Sequence, residues 1–448
     1  MNKNQSQSDF SISFCAAQSG TDFVGVKIDK AERKIIFPMG YALNEKSLGV
    51  SKINKDERKI ILNLIRSIQS CSKNKNGQIT ARLNGESRND FPISAIFSII
   101  EDFLDRSSYY TEKESVYTRA TGGKINWSRT IKNIKPIVSE TGIAFLNFII
   151  RKNRIQENQL ITELHKYCVY KAFELFGFLY TTSLPEKGLL DESDISKNRK
   201  HYAQFLQDKI DSTHLESNIE LFSNMLELIN NLDCESETTE AAYGTTSFQV
   251  VWENMVNSVF GTISQKEKEK YFYPASRWTF VDKKTKANAP LRPDTIMILG
   301  EGKNRKCFII DSKYYSYTTL REKEIGDEDG QETVLVHGSI PGTDSIQKQI
   351  TYAQYIDKDI NNYDVEKRSE FRFFHKDIYN VFILPVESPG SILNYIGRAS
   401  SDWNDNSKNY HKIHAVTLDT KFLLENFGKN NKSLQERLAE CLYSAPRL

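Results

Sequence analysis

Long apolar runs are missing from this chain of 448 residues. The longest candidate, Gly142 to Ile150, is about half as long as the roughly 20 apolar residues that a membrane-spanning helix needs. The opening stretch, MNKNQSQSDF, also lacks the apolar region of a secretory signal. We therefore expect a protein that does not associate with membranes and that works in the cytoplasm.

Cysteine is sparse, and no two of the six cysteines form a C-x-x-C pair. The usual sequence signatures of a structural zinc site and of a disulfide framework are therefore excluded, which fits a reducing compartment. The phosphate-binding pattern G-x-x-x-x-G-K-[ST] is absent as well, and GGKINW at residues 122–127 does not match it. The chain is thus not expected to bind a nucleotide through such a loop.

Charge is nearly balanced overall, with a net value of +2, but it is unevenly distributed. Residues 1–140 contain 22 Lys and Arg against 15 Asp and Glu, whereas residues 141–235 contain 10 against 14. Within the basic segment, aromatic and basic residues lie close together, and Lys124, Trp127 and Arg129 are candidates for contacting DNA or a protein partner. The alternative is a solvated basic face, because the excess of charge is modest.

Three consecutive segments are predicted, beginning with a β/α module over residues 1–140 that docks a partner or DNA. A hairpin is expected from Phe23–Val26 and Lys34–Phe37, because two apolar runs flank a polar turn. Apolar residues at a helical period predict helices over Asp56–Gln69 and Phe91–Leu104. The polar stretches Ser72–Ser87 and Ser107–Lys124 are predicted to be loops.

A helical middle region is predicted for residues 141–235, with helical spacing of apolar residues from Ile143 to Asn231. The stretch Cys234–Thr246, CESETTEAAYGTT, is polar and lacks large aliphatic residues. It is predicted to be a hinge before the third segment, residues 236–448.

The third segment opens with FQVVWENMVNSVF (residues 248–260), an apolar stripe at helical spacing that predicts a helix packed under a sheet. A β-hairpin is then predicted from Thr295–Leu299 and Lys306–Ile310, which are joined by the turn residues GEGKN. Later apolar strands over Tyr379–Val386 and Lys412–Leu418, and a closing helix over Lys432–Tyr443, complete an α/β domain.

Acidic residues mark both strands of that hairpin. Asp294 precedes the first strand and Asp311 ends the second, and Lys313 is expected on the same side as Asp311 because side chains alternate along a strand. Hard divalent cations such as Mg²⁺ prefer carboxylate and carbonyl oxygens, which the two aspartates and the carbonyl of Ser312 can supply. The alternative is a pair of strand-end carboxylates capped by a solvated lysine.

Two features follow the hairpin. The polar stretch Leu320–Gly342 is predicted to be a mobile loop. After it, IQKQITYAQY (residues 346–355) predicts a helix with Ile346 and Ile350 on its inner face and with Gln349 and Tyr352 on a neighbouring face.

The RPD and IIDSK motifs, together with FVGVKIDKAERKIIFPMGY, GKINWSRTI and FQVVWENMVNSVF, resemble the LlaJI-type restriction endonucleases. These are relatives of the McrC nuclease subunit within the PD-(D/E)xK superfamily. The resemblance implies a restriction-endonuclease-like mixed sheet with flanking helices, an acidic ligand at Glu253 on the first helix, and a catalytic glutamine at Gln349. The family pattern is Gln-x-x-x-Tyr, whereas this chain has Gln349-x-x-Tyr352, which is one residue shorter.

The resemblance also implies a function and partners. The chain is expected to be a Mg²⁺-dependent endonuclease that cuts double-stranded DNA in a phage-defence restriction system and assembles with a McrB-like AAA+ GTPase ring. Two alternatives remain open: a stand-alone repair or recombination nuclease, and a non-catalytic scaffold that activates the partner GTPase.

Overall fold

A computed structural model of the chain describes residues 11–445, apart from 30, 42, 44–52, 73–78, 84–85, 89–91, 141, 157–158, 182, 232–240, 283, 316, 318–319, 326–331, 338–339, 361–372, 388–389 and 403–406. In this described part of the chain, no helix combines the length and the apolarity needed to cross a bilayer.

The chain folds into alternating strands and helices. The strands are β1 (Ser11–Ala16), β2 (Val24–Ile28), β3 (Glu32–Phe37), β4 (Ile79–Leu83), β5 (Glu86–Arg88), β6 (Glu112–Ala120), β7 (Ile137–Ser139), β8 (Gly142–Ala144), β9 (Phe148–Gln156), β10 (Ala241–Thr245), β11 (Arg277–Thr279), β12 (Thr285–Ala287), β13 (Thr295–Leu299), β14 (Lys306–Ser312), β15 (Leu320–Ile325), β16 (Glu332–His337), β17 (Ile378–Val386), β18 (Leu393–Ala399) and β19 (Ile413–Asp419). The α-helices are α1 (Lys55–Ser72), α2 (Ile93–Arg106), α3 (Trp127–Asn133), α4 (Leu160–Phe176), α5 (Glu192–Ser212), α6 (Glu216–Asn231), α7 (Phe248–Phe260), α8 (Gln265–Lys268), α9 (Thr343–Tyr355), α10 (Thr420–Glu425) and α11 (Lys432–Tyr443).

The chain divides into two compact units. The inserted unit takes residues 90–239, and the main unit takes residues 10–89 together with 240–448. This grouping differs from the three consecutive segments predicted from the sequence. Strands β1 to β5 belong to the same unit as the C-terminal half of the chain, because β10 pairs with both β2 and β4.

The first sheet of the main unit has the strand order β1-β3-β2-β10-β4-β5. Gly244 of β10 lies opposite Gly25 of β2, and a Cβ atom on either glycine would come within 2.3 Å of a main-chain oxygen of the other strand. Only glycines therefore permit this close pairing. Helix α1 packs against β10, α7 and α10 and buries Ile61, Leu64 and Ile65.

The second sheet of the main unit is mixed, with the order β13-β14-β17-β19-β18. Strands β14, β17 and β19 are parallel, whereas β13 and β18 run antiparallel to their neighbours. Ile296 and Ile309 pack in one core cluster with Tyr352 of α9. Because side chains alternate, Phe308 faces the other way, and its ring lies 6.3 Å from that of Tyr443 in α11.

The inserted unit is built on helices α2, α4, α5 and α6, which pack against one another. Strands β6 and β9 form a long antiparallel pair, and β7 and β8 form a short hairpin. Helix α3 contacts β9, and the side chain of Asn126 caps it by accepting a hydrogen bond from the Arg129 N–H.

An α/β architecture is confirmed, and the strongly periodic segments form the elements that the sequence predicts. These are the β2/β3 hairpin, helices α1, α2, α7, α9 and α11, the β13/β14 hairpin, and strands β17 and β19. Apolar periodicity is a local property of the chain, which is why it located them.

Several polar segments were predicted wrongly. Strands occur in the expected loops Ser72–Ser87, Ser107–Lys124 and Leu320–Gly342, and β8 and β9 interrupt the expected helical region that starts at Ile143. Strands β6 and β9, like β15 and β16, form two-stranded sheets, in which no face has to be continuously apolar. The expected hinge Cys234–Thr246 is wrong in its described part, because β10 lies inside a six-stranded sheet.

Candidate metal centre at the end of strand β14

Two aspartates meet because of the register of the β13/β14 pair. Thr295 lies opposite Ile310, so the residues that flank this pair, Asp294 and Asp311, are also brought opposite each other. Asp294 precedes β13, and Asp311 is the next-to-last residue of β14. The structure thus brings together the two acids predicted from the sequence.

Asp294 is held by the backbone of the neighbouring strand. Its Oδ2 accepts a hydrogen bond of 2.8 Å from the N–H of Ser312. Burial, and then the negative charge of Asp311, raise the pKa of Asp294 to about 6. The Asp294 carboxylate is therefore buried and lies close to a second negative charge.

Asp311 is buried and pairs with Lys313, whose Nζ lies 2.6 Å from Oδ2 of Asp311. Burial alone would lower the pKa of Lys313, but the Asp311 carboxylate and its hydrogen bond outweigh burial and raise it. The N–H of Lys313 donates a 2.9 Å hydrogen bond to the carbonyl of Ile383, which fixes the backbone there. Lys313 is therefore a positively charged group placed beside the two acids.

Glu253 approaches the same centre from helix α7. Its pKa is raised to about 7, first by burial and then by the charges of Asp294 and Asp311. Nevertheless, among the residues that the structure describes, no three Asp, Glu, His or Cys side chains are close enough to hold a metal ion by themselves. Glu253 thus adds charge to the centre without completing a three-residue ligand set.

A smaller set of oxygen atoms, from two aspartates and one main-chain carbonyl, fits a divalent cation. Two carboxylates held opposite each other in a buried place are stabilised by a positive ion. In an extended strand, the N–H and C=O of one residue face the same neighbour, so the Ser312 carbonyl lies on the side of Asp294. Asp294, Asp311 and the Ser312 carbonyl therefore make an all-oxygen donor set of the kind that Mg²⁺ prefers.

Two lysines near this centre escaped the sequence analysis, whereas Tyr352 was named there as part of the Gln349-x-x-Tyr352 pattern. Nζ of Lys268 donates a hydrogen bond to the main-chain carbonyl of Asp294. The positive charge of Lys348 opposes the rise in the pKa values of Asp294 and Glu253 without cancelling it. The pKa of Tyr352 is raised by burial and then by the charges of Asp311 and Asp294, and its hydroxyl donates to the carbonyl of Arg292.

Gln349 is buried on α9, at 1% exposure. Neither polar atom of its amide has a hydrogen-bond partner among the described residues. Such a buried amide is costly and calls for a ligand or water. A catalytic role for Gln349 stays a prediction.

A cleft of about 480 Å³ opens onto the centre. It is lined by the loop after β1, residues Gln18 to Thr21, and by Glu253, Ser312 and Lys313. The carboxylate of Asp22 accepts hydrogen bonds of 2.8 Å from the N–H groups of Gln18 and Ser19 and so shapes the loop. The N-terminal strands therefore help to enclose the candidate site.

The predicted contact residues Lys124, Trp127 and Arg129 lie in the inserted unit, and all three are exposed. The guanidinium carbon of Arg129 lies 3.8 Å from the centre of the Tyr117 ring, and the Trp127 ring packs edge-on against Phe148. The surface is thus ordered and open to solvent, while contact with DNA or a partner stays a prediction.

The main unit is therefore an α/β domain whose mixed sheet carries paired carboxylates at a strand end. The family model for the LlaJI restriction endonuclease matches residues 23–421. The chain belongs to that family, which confirms the resemblance seen in the sequence.

A curated relative and two solved structures were also found. The type II restriction enzyme BsuMI component YdjA of Bacillus subtilis (strain 168) is 25% identical over 319 residues, or 69% of this chain. The match spans 60% of that relative's length. A half-complex of Thermococcus gammatolerans McrB AAA+ hexamers with bound McrC is 12% identical and covers 90% of this chain and 81% of its own, at a TM-score of 0.30. The McrBC complex of the same organism is 12% identical and covers 51% and 62%, at a TM-score of 0.20. TM-scores this low do not establish a shared fold.

Proposed function

We propose that this chain is the nuclease subunit of a restriction system and hydrolyses phosphodiester bonds of double-stranded DNA with the help of Mg²⁺. The observation that carries the proposal is the pair of aspartates: Asp294 accepts a hydrogen bond from the N–H of Ser312, and Asp311 pairs with Lys313. Ser312 and Lys313 line a cleft. Family membership supports it, as does the name of the relative from Bacillus subtilis, a component of a restriction enzyme.

Each residue of the centre has a chemical task. Asp294, Asp311 and the Ser312 carbonyl would hold the cation, which when bound supplies positive charge for the phosphate and lowers the pKa of water. Lys313 would orient the attacking water and offset the charge that builds on the phosphate, since a preorganised cation is most effective where water is excluded. Glu253 would complete the acidic wall on the side of α7.

The order of the strands supports assignment to the PD-(D/E)xK superfamily. The two acids and the lysine lie on an antiparallel pair at the edge of a mixed sheet, with α7 before it in sequence and α9 after it. This is the arrangement expected from the RPD and IIDSK motifs.

We further propose that the inserted unit docks a McrB-like AAA+ GTPase ring in the cytoplasm. Between Trp127 and Leu146, large apolar side chains are from 49% to 73% exposed, which is unusual for a surface that meets only water. These side chains are Trp127, Ile131, Ile137, Val138, Ile143 and Leu146. An apolar surface of this kind fits a protein partner better than the DNA backbone.

Cleavage by active-site variants tests the nuclease proposal. Full-length wild type, Asp294→Ala and Asp311→Ala are incubated with duplex DNA, Mg²⁺, the AAA+ partner and GTP. Wild type should cut, whereas neither variant should. Asp402→Ala, which removes an exposed aspartate of the main unit outside the centre, is the matched control and should cut normally. Cleavage by either centre variant would show that the substituted aspartate is not needed for catalysis.

The same mixture tests the partner proposal. Ile131→Asp together with Val138→Asp should abolish the increase in GTP hydrolysis that the chain produces in the partner, because charges cannot be buried in an apolar interface. Wild-type cleavage of plain duplex DNA without any partner would favour a stand-alone nuclease. Stimulated GTP hydrolysis without any DNA cleavage by wild type would favour a scaffold.

A further inference from the structure

The β11/β12 hairpin carries large apolar side chains that are about half to fully exposed. Trp278 is 62% exposed, Phe280 49% and Val281 104%. The hairpin lies in the main unit, between α8 and the strand that follows Asp294. Large aromatic side chains are rarely left this exposed without a binding role.

The two aromatic rings share one face of the hairpin with two lysines. Trp278 lies opposite Lys286, and the N–H of Phe280 donates a 2.9 Å hydrogen bond to the carbonyl of Lys284. Since alternate residues point to the same side, Trp278, Phe280, Lys284 and Lys286 lie on one face. The two rings are nearly parallel, at 15°, with centroids 6.4 Å apart.

The charge of the hairpin is strongly positive. The sequence from residue 277 to 287 contains Arg277, Lys283, Lys284 and Lys286 against a single acid, Asp282. Asp282 and Lys284 form an ion pair of 3.0 Å that is exposed on both sides, and such pairs contribute little. A flat aromatic face flanked by cations is complementary to a nucleic acid, whose bases stack and whose phosphates are anionic.

The base of the hairpin is held in place on the segment that leads to Asp294. Asn288 donates hydrogen bonds of 2.9 Å from both its N–H and its side-chain amide to Ser276. Below this, the N–H of Tyr273 donates to the carbonyl of Leu291, three residues before Asp294. The Tyr273 ring packs edge-on against Tyr355 of α9, with centroids 5.7 Å apart. The hairpin is therefore anchored on both sides.

We propose that the β11/β12 hairpin binds the DNA substrate beside the cutting site, with Trp278 and Phe280 against bases and Lys284 and Lys286 on phosphates. This inference rests on the proposed nuclease function and names a substrate-binding element for it. Lys286 is eight residues from Asp294, so the chain between them spans at most about 29 Å. The contact therefore lies within about eight base pairs of the cut, at roughly 3.4 Å per base pair.

Binding measurements test the hairpin without requiring cleavage. Fluorescence anisotropy of a labelled 30-base-pair duplex is followed with the full-length protein in EDTA. The variant Trp278→Ala, Phe280→Ala should bind at least roughly 5-fold more weakly, because each of the two aromatic–base stacks contributes about 5- to 150-fold. Phe374→Ala, which removes a similarly exposed phenylalanine elsewhere in the main unit, should bind like wild type.

The lysines have their own signature. Lys286→Gln should reduce the slope of log Kd against log salt concentration by about 1, because one phosphate contact is lost. Lys429→Gln, at an exposed site between α10 and α11, should leave the slope unchanged. Both hairpin variants should keep the wild-type Tm, since the substituted side chains are exposed.

Two results would overturn the inference. DNA affinity and salt slope equal to wild type in both hairpin variants would remove DNA as the occupant. Unchanged DNA binding together with loss of the AAA+ partner would show that the hairpin is instead a protein interface. DNA cleavage by Asp311→Ala would contradict the nuclease proposal alone, so the two failures are distinguishable.

Discussion

At the scale of single residues, the centre is organised by an excess of negative charge in a buried place. Burial and the charge of Asp311 raise the pKa values of Asp294 and Glu253, and the charges of Lys313 and Lys348 oppose that rise. Lys268 also interacts with Asp294 and Glu253. Burying charges is costly unless they are paired, so this cluster needs a function to explain it. Binding a divalent cation and a phosphate satisfies both the acids and the lysines.

Lys313 provides the sharpest prediction at this scale. Lys313→Met keeps much of the length of the side chain and removes its charge, so DNA and metal should still bind while single-turnover cleavage slows by about 10²-fold or more. Lys429→Met, which alters an exposed lysine outside the cleft, should cleave at the wild-type rate. Normal turnover by Lys313→Met would show that this lysine only neutralises Asp311.

The sequence identified the acids but not all of the cations. Asp294, Asp311 and Lys313 stand next to apolar strands, and strand periodicity is a local signal that can be recognised without a structure. Lys268 and Lys348 reach the centre from α8 and α9, which precede and follow the hairpin in the chain. Only the packing of these helices against the sheet brings the lysines near, and no local pattern encodes that packing.

At the scale of elements, the difference between local sequence patterns and long-range packing also explains why some strands were predicted wrongly. Strand β10 consists of AAYGT, which has almost no apolar signal, yet it pairs on both sides. Its small residues are required because Gly244 lies against β2 at a distance that excludes a Cβ atom. A sequence that looks like a hinge is therefore the interior of a sheet.

Helix α4 carries a buried histidine that links the stability of the inserted unit to pH. His165 is fully buried, and its Nδ1 accepts a 2.8 Å hydrogen bond from the N–H of Tyr110. Burial, and then the charge of Arg106, lower the pKa of His165 from 6.5 to about 3. The unfolded chain binds this proton more readily, so the stabilisation is complete above pH 6.5 and is lost as the pH falls toward 3.

We expect His165→Asn to weaken this pH dependence, because the asparagine can accept from Tyr110 and does not titrate. Between pH 7.5 and pH 4.5, wild type should lose roughly 2 to 3 kcal/mol more free energy of unfolding than the variant, measured by urea denaturation of the full-length protein. His201→Asn, at an exposed histidine of the same unit, is the control and should behave like wild type. Parallel pH profiles for wild type and His165→Asn would contradict the assignment.

At the scale of the whole molecule, the inserted unit interrupts the main unit in the sequence. Strands β1 to β5 come before it, and β10 with the candidate centre comes after it. The main unit therefore depends on both ends of the chain. Tyr314, next to Lys313, shows this directly, because its hydroxyl accepts a 2.7 Å hydrogen bond from the N–H of Met39.

Truncation tests this organisation. A protein of residues 236–448 retains β10 but loses β2 and β4, so both edges of β10 lose their partners. We expect it to aggregate or to unfold without a cooperative transition in circular dichroism. A matched protein in which residues 90–239 are replaced by a short Gly-Ser linker should unfold cooperatively. Cooperative unfolding of the 236–448 protein would show that the C-terminal part folds alone.

The central claim is that Asp294 and Asp311 hold one divalent cation, and metal binding tests it most directly because neither a partner nor a recognition sequence is needed. Mn²⁺ replaces Mg²⁺ as the probe, and its binding to the full-length protein is followed by electron paramagnetic resonance at pH 7.5. The account predicts one site in wild type and in Asp282→Asn, and no site in Asp294→Asn or Asp311→Asn. Equal Mn²⁺ binding by wild type and by both centre variants would contradict it.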